Sequence, residues 1–176
     1  LTELLAALQV SLADDVRQAL LERSEGWLAA IRLLLLDADE DALRQRLQEG
    51  CPVLRDYVQH EVLADLDEEL RSDLYALALL PRFSLPLCEH LLEGRGSELL
   101  GELQRRQLFV RSLDSSGTWF RLWQPLAEVL RRLPGAPVPA SIHVRACQWF
   151  AQHGDIREAV EHALLAGQVE VAVNYL

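Results

Sequence analysis

The sequence contains no lysine among its 176 residues, so all 17 basic side chains are arginines. A P-loop of the form G-x-x-x-x-G-K-[ST] requires a lysine, and this absence therefore excludes a P-loop from the chain. ATP hydrolysis cannot be assigned to these residues. We expect no enzyme activity and no bound cofactor within this segment.

Cysteine is also scarce. Cys51, Cys88 and Cys147 are odd in number and widely separated, and they show no C-x-x-C spacing, which argues against a disulfide framework and a zinc site. The longest apolar run, Leu28 to Leu36, contains Arg32 and is shorter than the ~20 residues of a spanning helix. The sequence shows no signal peptide. We predict a cytoplasmic segment with no membrane partner.

Residue patterns for catalysis or metal binding are missing as well. No two of the five histidines fall three or four residues apart, so none are pre-set as metal ligands on one helix face. No G-x-S-x-G motif accompanies the serines. The acidic run Asp65 to Glu69 suits the first turn of a helix, where carboxylates interact favourably with the helix dipole. We predict no catalytic residue and no metal site.

Charge is distributed unevenly along the chain. The first 80 residues hold seven arginines against 17 acidic residues, whereas the remainder is balanced at ten against ten. A surface that contacts nucleic acid normally concentrates positive charge. Direct DNA contact by the first half is therefore disfavoured.

What the sequence has in abundance is leucine and alanine, with glycine and proline falling between the periodic apolar runs. This pattern predicts a mainly α fold. Serine or aspartate residues mark the expected helix starts, and proline suits a first turn. The predicted starts are Ser11 with Asp14, Asp39, Pro52, Asp67, Ser84, Ser97 and Pro125.

A different composition begins at Leu108. The runs LFVRSLD and TWFRLW are rich in aromatic and β-branched residues, and Ser115 to Gly117 supplies a turn between them. Short helices followed by a small β-hairpin wing are typical of a winged-helix domain. The proline-rich stretch Pro134 to Ala140 predicts a linker.

The last part predicts two helices joined at Gly154 and Asp155, and a third that begins near Val169. Trp149 with Phe150 is expected to pack in the core of this part. Small residues allow helices to approach closely, which indicates the start of a TPR-like helical-repeat superhelix. The alanines concerned are Ala146, Ala159, Ala163 and Ala172.

Four runs in this order resemble MalT-like, LuxR-type transcription activators, which are signal-transducing ATPases with numerous domains. The runs are SEGWLAAIRLLLL, then LRDYVQHEVLADLDEELRSDLYALALLPRFSLPLCEHL, then LFVRSLDSSGTWFRL with PLAEVLRR, and finally IHVRACQWFAQHGDIREAVEHALLAG. Together they span Ser24 to Gly167. Their joint order is more specific than any one of them.

The resemblance implies four segments: residues 1–50 as the helical tail of the nucleotide-binding module, 51–135 as the winged helix, 136–140 as the linker and 141–176 as the first repeat of a sensor. No methionine opens the chain and no stop signal follows Val171, so we expect an internal fragment of a longer protein. The expected partners are the other domains of that protein, further copies of it and a small-molecule or protein inducer. ATP or ADP, and DNA, would be bound only by domains outside the fragment.

One position departs from the family pattern after the wing, W-Y-R-Y-H-P-L-F. Trp119, Phe120 and Arg121 match it, but Trp123 stands where the family has a histidine that, in related ATPases, senses the nucleotide phosphate. An indole donates a hydrogen bond but does not titrate. The resemblance therefore leaves Arg121 and Trp123 as the candidates for nucleotide contact. For contact between domains we predict Trp27, Arg121, Trp123 and Arg131.

Two other functions fit the same sequence. Arg105, Arg106, Arg111 and Arg121 would allow a freestanding winged-helix regulator to contact DNA phosphates, although Glu98 and Glu102 lie on the would-be recognition helix. A helical-repeat scaffold that binds a protein partner is the other alternative. Salt-sensitive binding to duplex DNA would identify the first of these.

Overall fold

A computed structural model of the chain describes Leu5 and residues 10–105, 110–133 and 140–175. As predicted, the described residues are mainly helical with a small sheet. The helices are α1 Asp14–Ser24, α2 Leu28–Leu35, α3 Glu40–Glu49, α4 Pro52–Tyr57, α5 Glu68–Ala78, α6 Leu85–Leu91, α7 Gly96–Arg105, α8 Gln124–Arg132, α9 Ala140–Gln152, α10 Ile156–Leu165 and α11 Val169–Asn174. The strands are β1 Phe83–Ser84, β2 Val110–Ser112 and β3 Trp119–Leu122. Residues 134–139 of the predicted linker, and Arg106, lie outside the described residues.

The chain forms two compact units. The first comprises Leu1–Leu66 and Trp123–Leu133, and the second comprises Asp67–Leu122 and Pro134–Leu176. The first unit therefore holds α1 to α4 with α8, and the second holds the sheet and the other helices. The segment bounds predicted from the sequence, after residues 50, 135 and 140, stay predictions.

In the first unit, the predicted start of α1 is wrong. The helix begins at Asp14 after Ala13, and no side chain caps it. Instead, the backbone N–H of Ala13 donates to the Glu40 carboxylate at 3.0 Å. Glu40 of α3 therefore satisfies the backbone at this helix start, where a local cap by Ser11 was expected. The start of α3 is confirmed, because the Asp39 carboxylate accepts from the Ala42 N–H at 2.8 Å.

The helix predicted after Pro52 is interrupted in the structure. α4 ends at Tyr57, and a π-helical turn continues over Val58–Val62, where the Leu63 N–H donates to the Val58 carbonyl at 2.9 Å. Such wide turns shift the following side chains around the helix axis. Hydrophobic spacing alone did not reveal this change.

In the second unit, Asp67 caps α5 as predicted. Its carboxylate accepts from the Leu70 N–H at 2.8 Å. We expect Asp67→Ala to lower the free energy of unfolding by about 1 kcal/mol, the usual cost of losing an N-cap. Asp67→Asn is the matched control, because an asparagine oxygen caps almost as well, and chemical denaturation of both variants measures the difference. Equal losses in the two variants would contradict this role for the side chain.

Helices α6 and α7 approach each other closely at Gly96. Ser84 caps α6 as predicted, since its hydroxyl accepts from the Leu87 N–H at 3.4 Å. The predicted Ser97 cap of α7 is wrong: the helix begins at Gly96, and the Glu89 carboxylate accepts from the Gly96 and Ser97 N–H groups at 3.2 and 2.8 Å. A hydrogen bond with the Ser97 side chain, followed by these backbone bonds, lowers the pKa of Glu89. The cap therefore comes from the neighbouring helix.

The predicted hairpin is confirmed, and it belongs to a larger sheet. β3 pairs antiparallel with β2, with Arg111 opposite Arg121. At the turn, the Asp114 carboxylate accepts from the Thr118 and Trp119 N–H groups at 2.8 and 3.2 Å. The short strand β1, not predicted from the sequence, pairs with the other edge of β3 and gives the order β1-β3-β2.

The three C-terminal helices follow the predicted pattern. α9 and α10 form a helical hairpin whose connection includes Gly154 with φ of +80°. The core contains Phe150, Ala146, Ala159 and Ala163, all at 0% exposure. These small side chains let the two helix backbones come close together.

Among the described residues, no helix has the length and apolarity needed to cross a membrane.

Candidate interdomain coupling site

The two predicted tryptophans of the first unit contact each other. Trp27 precedes α2 and Trp123 precedes α8, and their rings meet edge to face with centroids 6.2 Å apart. Tyr57 lies 6.1 Å from Trp27 on another side. The backbone N–H of Gln124 also donates to the Glu25 carboxylate at 3.1 Å. The start of α8 is therefore fixed to the loop before α2 within this unit.

The predicted arginines lie elsewhere. Arg121 is on β3 of the second unit, opposite Arg111, and Arg131 is exposed near the end of α8 in the first unit. Trp27, Trp123 and Arg131 thus lie in the first unit and Arg121 in the second. Their contact with other domains, and nucleotide contact by Arg121 and Trp123, stay predictions.

A cluster that the sequence did not predict lies in the second unit, between the sheet and the C-terminal hairpin. Arg82, just before β1, lies over the ring of Trp119 on β3, with its guanidinium carbon 4.4 Å from the ring centroid. The same guanidinium bonds Asp155, at the start of α10, and lies 3.8 Å from a Glu158 carboxylate oxygen. We call Arg82, Trp119, Trp149, Asp155 and Glu158 the coupling cluster. One cation therefore contacts both the sheet and the hairpin.

Aromatic packing adds a second contact to this cluster. Trp149 on α9 meets Trp119 edge to face, with centroids 6.2 Å apart. His153 stacks on the other side of Trp149 at 3.8 Å. Aromatic pairs in this geometry contribute about 0.5–1.5 kcal/mol beyond the burial of their area. The sheet and the hairpin are thus joined by both charge and aromatic contacts.

A second arginine connects the hairpin to α6. Arg145 on α9 donates to the His90 carbonyl at 2.9 Å and to the Glu93 carboxylate at 2.9 Å. Its side chain is half-buried, and Glu93 itself is exposed. The carbonyl bond fixes the guanidinium in position, whereas the outer ion pair is screened by solvent. The hairpin is therefore attached to the winged-helix elements at two separate points.

Glu158 is the less exposed of the two acids in the coupling cluster. Burial raises its pKa, the nearby Glu161 raises it further, and Arg82 opposes both effects. One carboxylate oxygen of Glu158 accepts no hydrogen bond from the residues that the structure describes. A half-buried carboxylate in this position is stabilised mainly by the charge of Arg82. The cation is thus important to the electrostatics of this site.

Arg82→Ala removes a cation–π contact and an ion pair, and leaves Glu158 without its cation. We expect the free energy of unfolding to fall by about 1–2 kcal/mol. Arg157→Ala is the matched control, because Arg157 is 86% exposed and forms its ion pair with Glu161 on its own helix. That variant should stay within about 0.5 kcal/mol of the wild type. Urea denaturation distinguishes them, and equal effects would contradict the assigned role of Arg82.

A buried histidine pair lies inside the hairpin. His143 on α9 and His162 on α10 are 9% and 2% exposed, and their Nδ1 atoms are 2.9 Å apart. At that distance one ring donates and the other accepts, so the accepting ring is neutral when the bond is formed. Burial, followed by the neighbouring His143, lowers the pKa of His162 to about 4. Burial lowers the pKa of His143 as well.

Among the described residues, no group of three or more histidine, cysteine or acidic side chains is placed to hold a metal ion. The three cysteines are free and buried. Burial raises the pKa of the Cys88 thiol to about 12, so this thiol is poorly reactive at neutral pH.

Sequence reasoning missed Arg82 and the histidine pair for different reasons. Arg82 follows Pro81 in a short loop, and nothing in its local sequence indicates contact with a residue 73 positions away. His143 and His162 lie on different helices, so a search for ligand spacing within one helix could not pair them. The sequence signal that could have indicated their burial is the apolar residues at helical spacing around each histidine.

Comparison with known proteins agrees with this architecture. The model of the MalT winged helix domain matches residues 59–142. The chain is 35% identical over 165 residues to the serine/threonine-protein kinase PknK of Mycobacterium tuberculosis, an alignment that covers 89% of this chain and 15% of that protein. It is 30% identical over 173 residues to the HTH-type transcriptional regulator MalT of Yersinia enterocolitica, covering 92% of this chain and 19% of the regulator.

A further MalT regulator, from Yersinia pestis, is 30% identical over 161 residues, which cover 85% of this chain and 18% of that protein. The chain thus spans less than a fifth of the length of each of these relatives. The alignments nevertheless extend beyond the winged helix in all three. Residues 59–142 belong to the MalT winged helix domain family, and the chain is similar to MalT regulators over most of its length.

Proposed function

We propose that this chain is a regulatory segment of a MalT-like, LuxR-type protein, in which a helical-repeat sensor is coupled through the winged helix to an ATPase switch and a DNA-binding domain. The observation that supports it is the coupling cluster, in which Arg82 contacts both the sheet and α10. A ligand that moved the hairpin would move the sheet with it. ATP or ADP and DNA would be bound by the longer cytoplasmic protein, outside this chain.

The names of the relatives favour a regulatory segment over one with its own chemistry. One relative is a protein kinase and two are transcriptional regulators, yet each shares this same stretch. A segment common to proteins with such different outputs is best explained as a module that transmits a signal. This argument supports coupling without assigning a kinase or DNA-binding activity to the chain.

The most direct test uses the longer protein encoded by the parent gene. We expect a P-loop before Leu1 and a helix-turn-helix after Leu176. In that protein, Arg82→Ala should weaken the effect of inducer on ATP-dependent self-association, while Arg157→Ala should leave it unchanged. An inducer response that is unaffected by Arg82→Ala, or a parent gene that encodes neither flanking module, would overturn the proposal.

The alternative of a freestanding DNA-binding regulator is opposed by the charge on α7. Arg105 donates to the Glu102 carboxylate at 2.6 and 2.9 Å, so its charge is paired on its own helix. Glu98 also lies on α7. A recognition helix with this charge balance would be repelled by phosphates.

We therefore expect the 176-residue chain to show no salt-sensitive binding to duplex DNA tighter than micromolar at low salt. Fluorescence anisotropy with a labelled duplex measures this directly. Micromolar or tighter binding that weakens steeply with added salt would favour the DNA-binding alternative. The helical-repeat scaffold remains the other candidate, and capture of a protein partner by the isolated chain would support it.

A further inference from the structure

The first unit contains a cavity of about 180 Å³ between the ends of α2 and α3 and the side of α8. Leu34, Leu54 and Val129 supply apolar parts of its wall, together with Pro52 and Pro125. The charged residues of the lining are four arginines and two glutamates. They are Arg23, Arg46, Arg55, Arg132, Glu49 and Glu128.

Arginines are concentrated around this cavity, although the first 80 residues of the chain are acidic. The first 80 residues have more than twice as many acids as arginines, yet three of their seven arginines line this cavity. Arg23 is neutralised by Glu128, at 2.6 Å, and Arg55 lies 3.4 Å from Asp56 with both side chains at least half exposed. The lining charges that remain belong to Arg46, Arg132 and Glu49, whose carboxylate accepts from Gln45 on its own helix at 2.8 Å, so one net positive charge is left over.

Backbone carbonyls hold these two guanidinium groups. Arg46 donates to the Leu34 and Leu36 carbonyls at 2.9 and 2.7 Å, and Arg132 donates to the Glu49 carbonyl at 3.1 Å. Within the described part of the chain, neither forms an ion pair with a carboxylate. Helix-end carbonyls satisfy donors and offset part of the charge, about half a unit at each end, but they do not neutralise two full cations. The cavity therefore has fixed cations beside an apolar wall.

The geometry points to a binding site for a small organic anion, with its charged head on Arg46 and Arg132 and a short apolar body against Leu34, Leu54 and Val129. Hydrogen bonds from an arginine to a carboxylate are stronger than those to a neutral carbonyl. The apolar wall favours a ligand with a hydrocarbon part over an inorganic ion. A volume of about 180 Å³ has room for a part of a few carbon atoms.

Hexanoate is a suitable probe, because it has one carboxylate and a short chain. We expect saturable binding of hexanoate to the 176-residue chain in isothermal titration calorimetry. Acetate, which has the same head group and almost no chain, should bind at least tenfold more weakly, and sulfate should also bind more weakly. No saturable binding of hexanoate, or sulfate binding as tight as hexanoate, would overturn the proposal.

Adjacent arginines on α8 offer a matched pair of variants. Arg132→Gln should weaken hexanoate binding at least tenfold, whereas Arg131→Gln, at a residue that does not line the cavity, should leave it within twofold. Should Arg132→Gln fail to fold, Arg46→Gln removes the other assigned cation of this rim and should weaken binding at least tenfold. Unchanged binding in the folded rim variant, or equal weakening in Arg131→Gln, would contradict the assignment.

Discussion

Replacing Gly96 by alanine will destabilise the second unit by about 3 kcal/mol or more. A Cβ at this position would overlap the Glu89 backbone nitrogen and lie 2.8 Å from the Cys88 carbonyl carbon. Both atoms belong to the backbone of α6, so they cannot move aside as a flexible side chain would. Relief requires α7 to shift away from α6, and overpacking of this kind typically costs about 1–3 kcal/mol even where side chains can adjust.

Gly101→Ala provides the control on the same helix. Nothing lies within 4 Å of the position its Cβ would occupy. Because alanine is preferred over glycine inside a helix, this variant should gain about 0.5–1 kcal/mol. Thermal or urea denaturation measures both. A Gly96→Ala protein as stable as the wild type would contradict the close packing of α6 on α7.

Acidification will destabilise the α9–α10 hairpin through its histidine pair. The pKa of His162 is lowered from 6.5 to about 4 in the folded chain. The unfolded chain therefore binds a proton at a higher pH than the folded chain does. The contribution is fully favourable above about pH 6.5 and is lost progressively as pH falls towards 4. At about 1.4 kcal/mol per pKa unit, the loss is about 3 kcal/mol.

Carboxylates also titrate in this pH range, so the effect of the histidine pair must be isolated. His162→Gln keeps a side chain that donates a hydrogen bond to His143 but removes the titrating ring. We expect this variant to be less stable than the wild type at pH 7 and to lose less stability between pH 6.5 and 4. Denaturation midpoints at several pH values measure the two slopes. Parallel slopes in wild type and variant would show that the pair does not cause the pH dependence.

Much of the fold was predictable because its causes are local. Asp39, Asp67 and Ser84 cap their helices with their own side chains. Likewise, the turn at Ser115 to Gly117 depends on residues next to it in sequence. In each case the amino acid determines the backbone within three or four positions. The hairpin and most of the helices could therefore be assigned from the sequence.

The errors occurred where a distant partner replaced a local one. Glu89 caps α7 in place of Ser97, and Glu40 satisfies the backbone before α1 in place of Ser11. β1 is only two residues long and exists because β3 lies beside it. No periodic pattern within a single segment contains this information.

The candidate site was harder to predict for the same reason. Trp149 was expected to be in the core of the hairpin, and it is 7% exposed, but its contact with Trp119 joins residues 30 positions apart. Arg82 could have been a solvated surface charge on sequence grounds. The prediction placed the functional contacts at Trp27, Arg121, Trp123 and Arg131, whereas the structure identifies a second cluster around Arg82.

Amide hydrogen exchange in the Arg82→Ala variant is the measurement that bears most directly on coupling between the hairpin and the winged helix. Elements that open together share one exchange free energy. We predict that the amides of α9, α10 and β3 will all exchange faster than in the wild type, and by a similar factor. Faster exchange confined to α10, with β3 unchanged, would show that the hairpin and the sheet open independently and would contradict the coupling on which the proposed function rests.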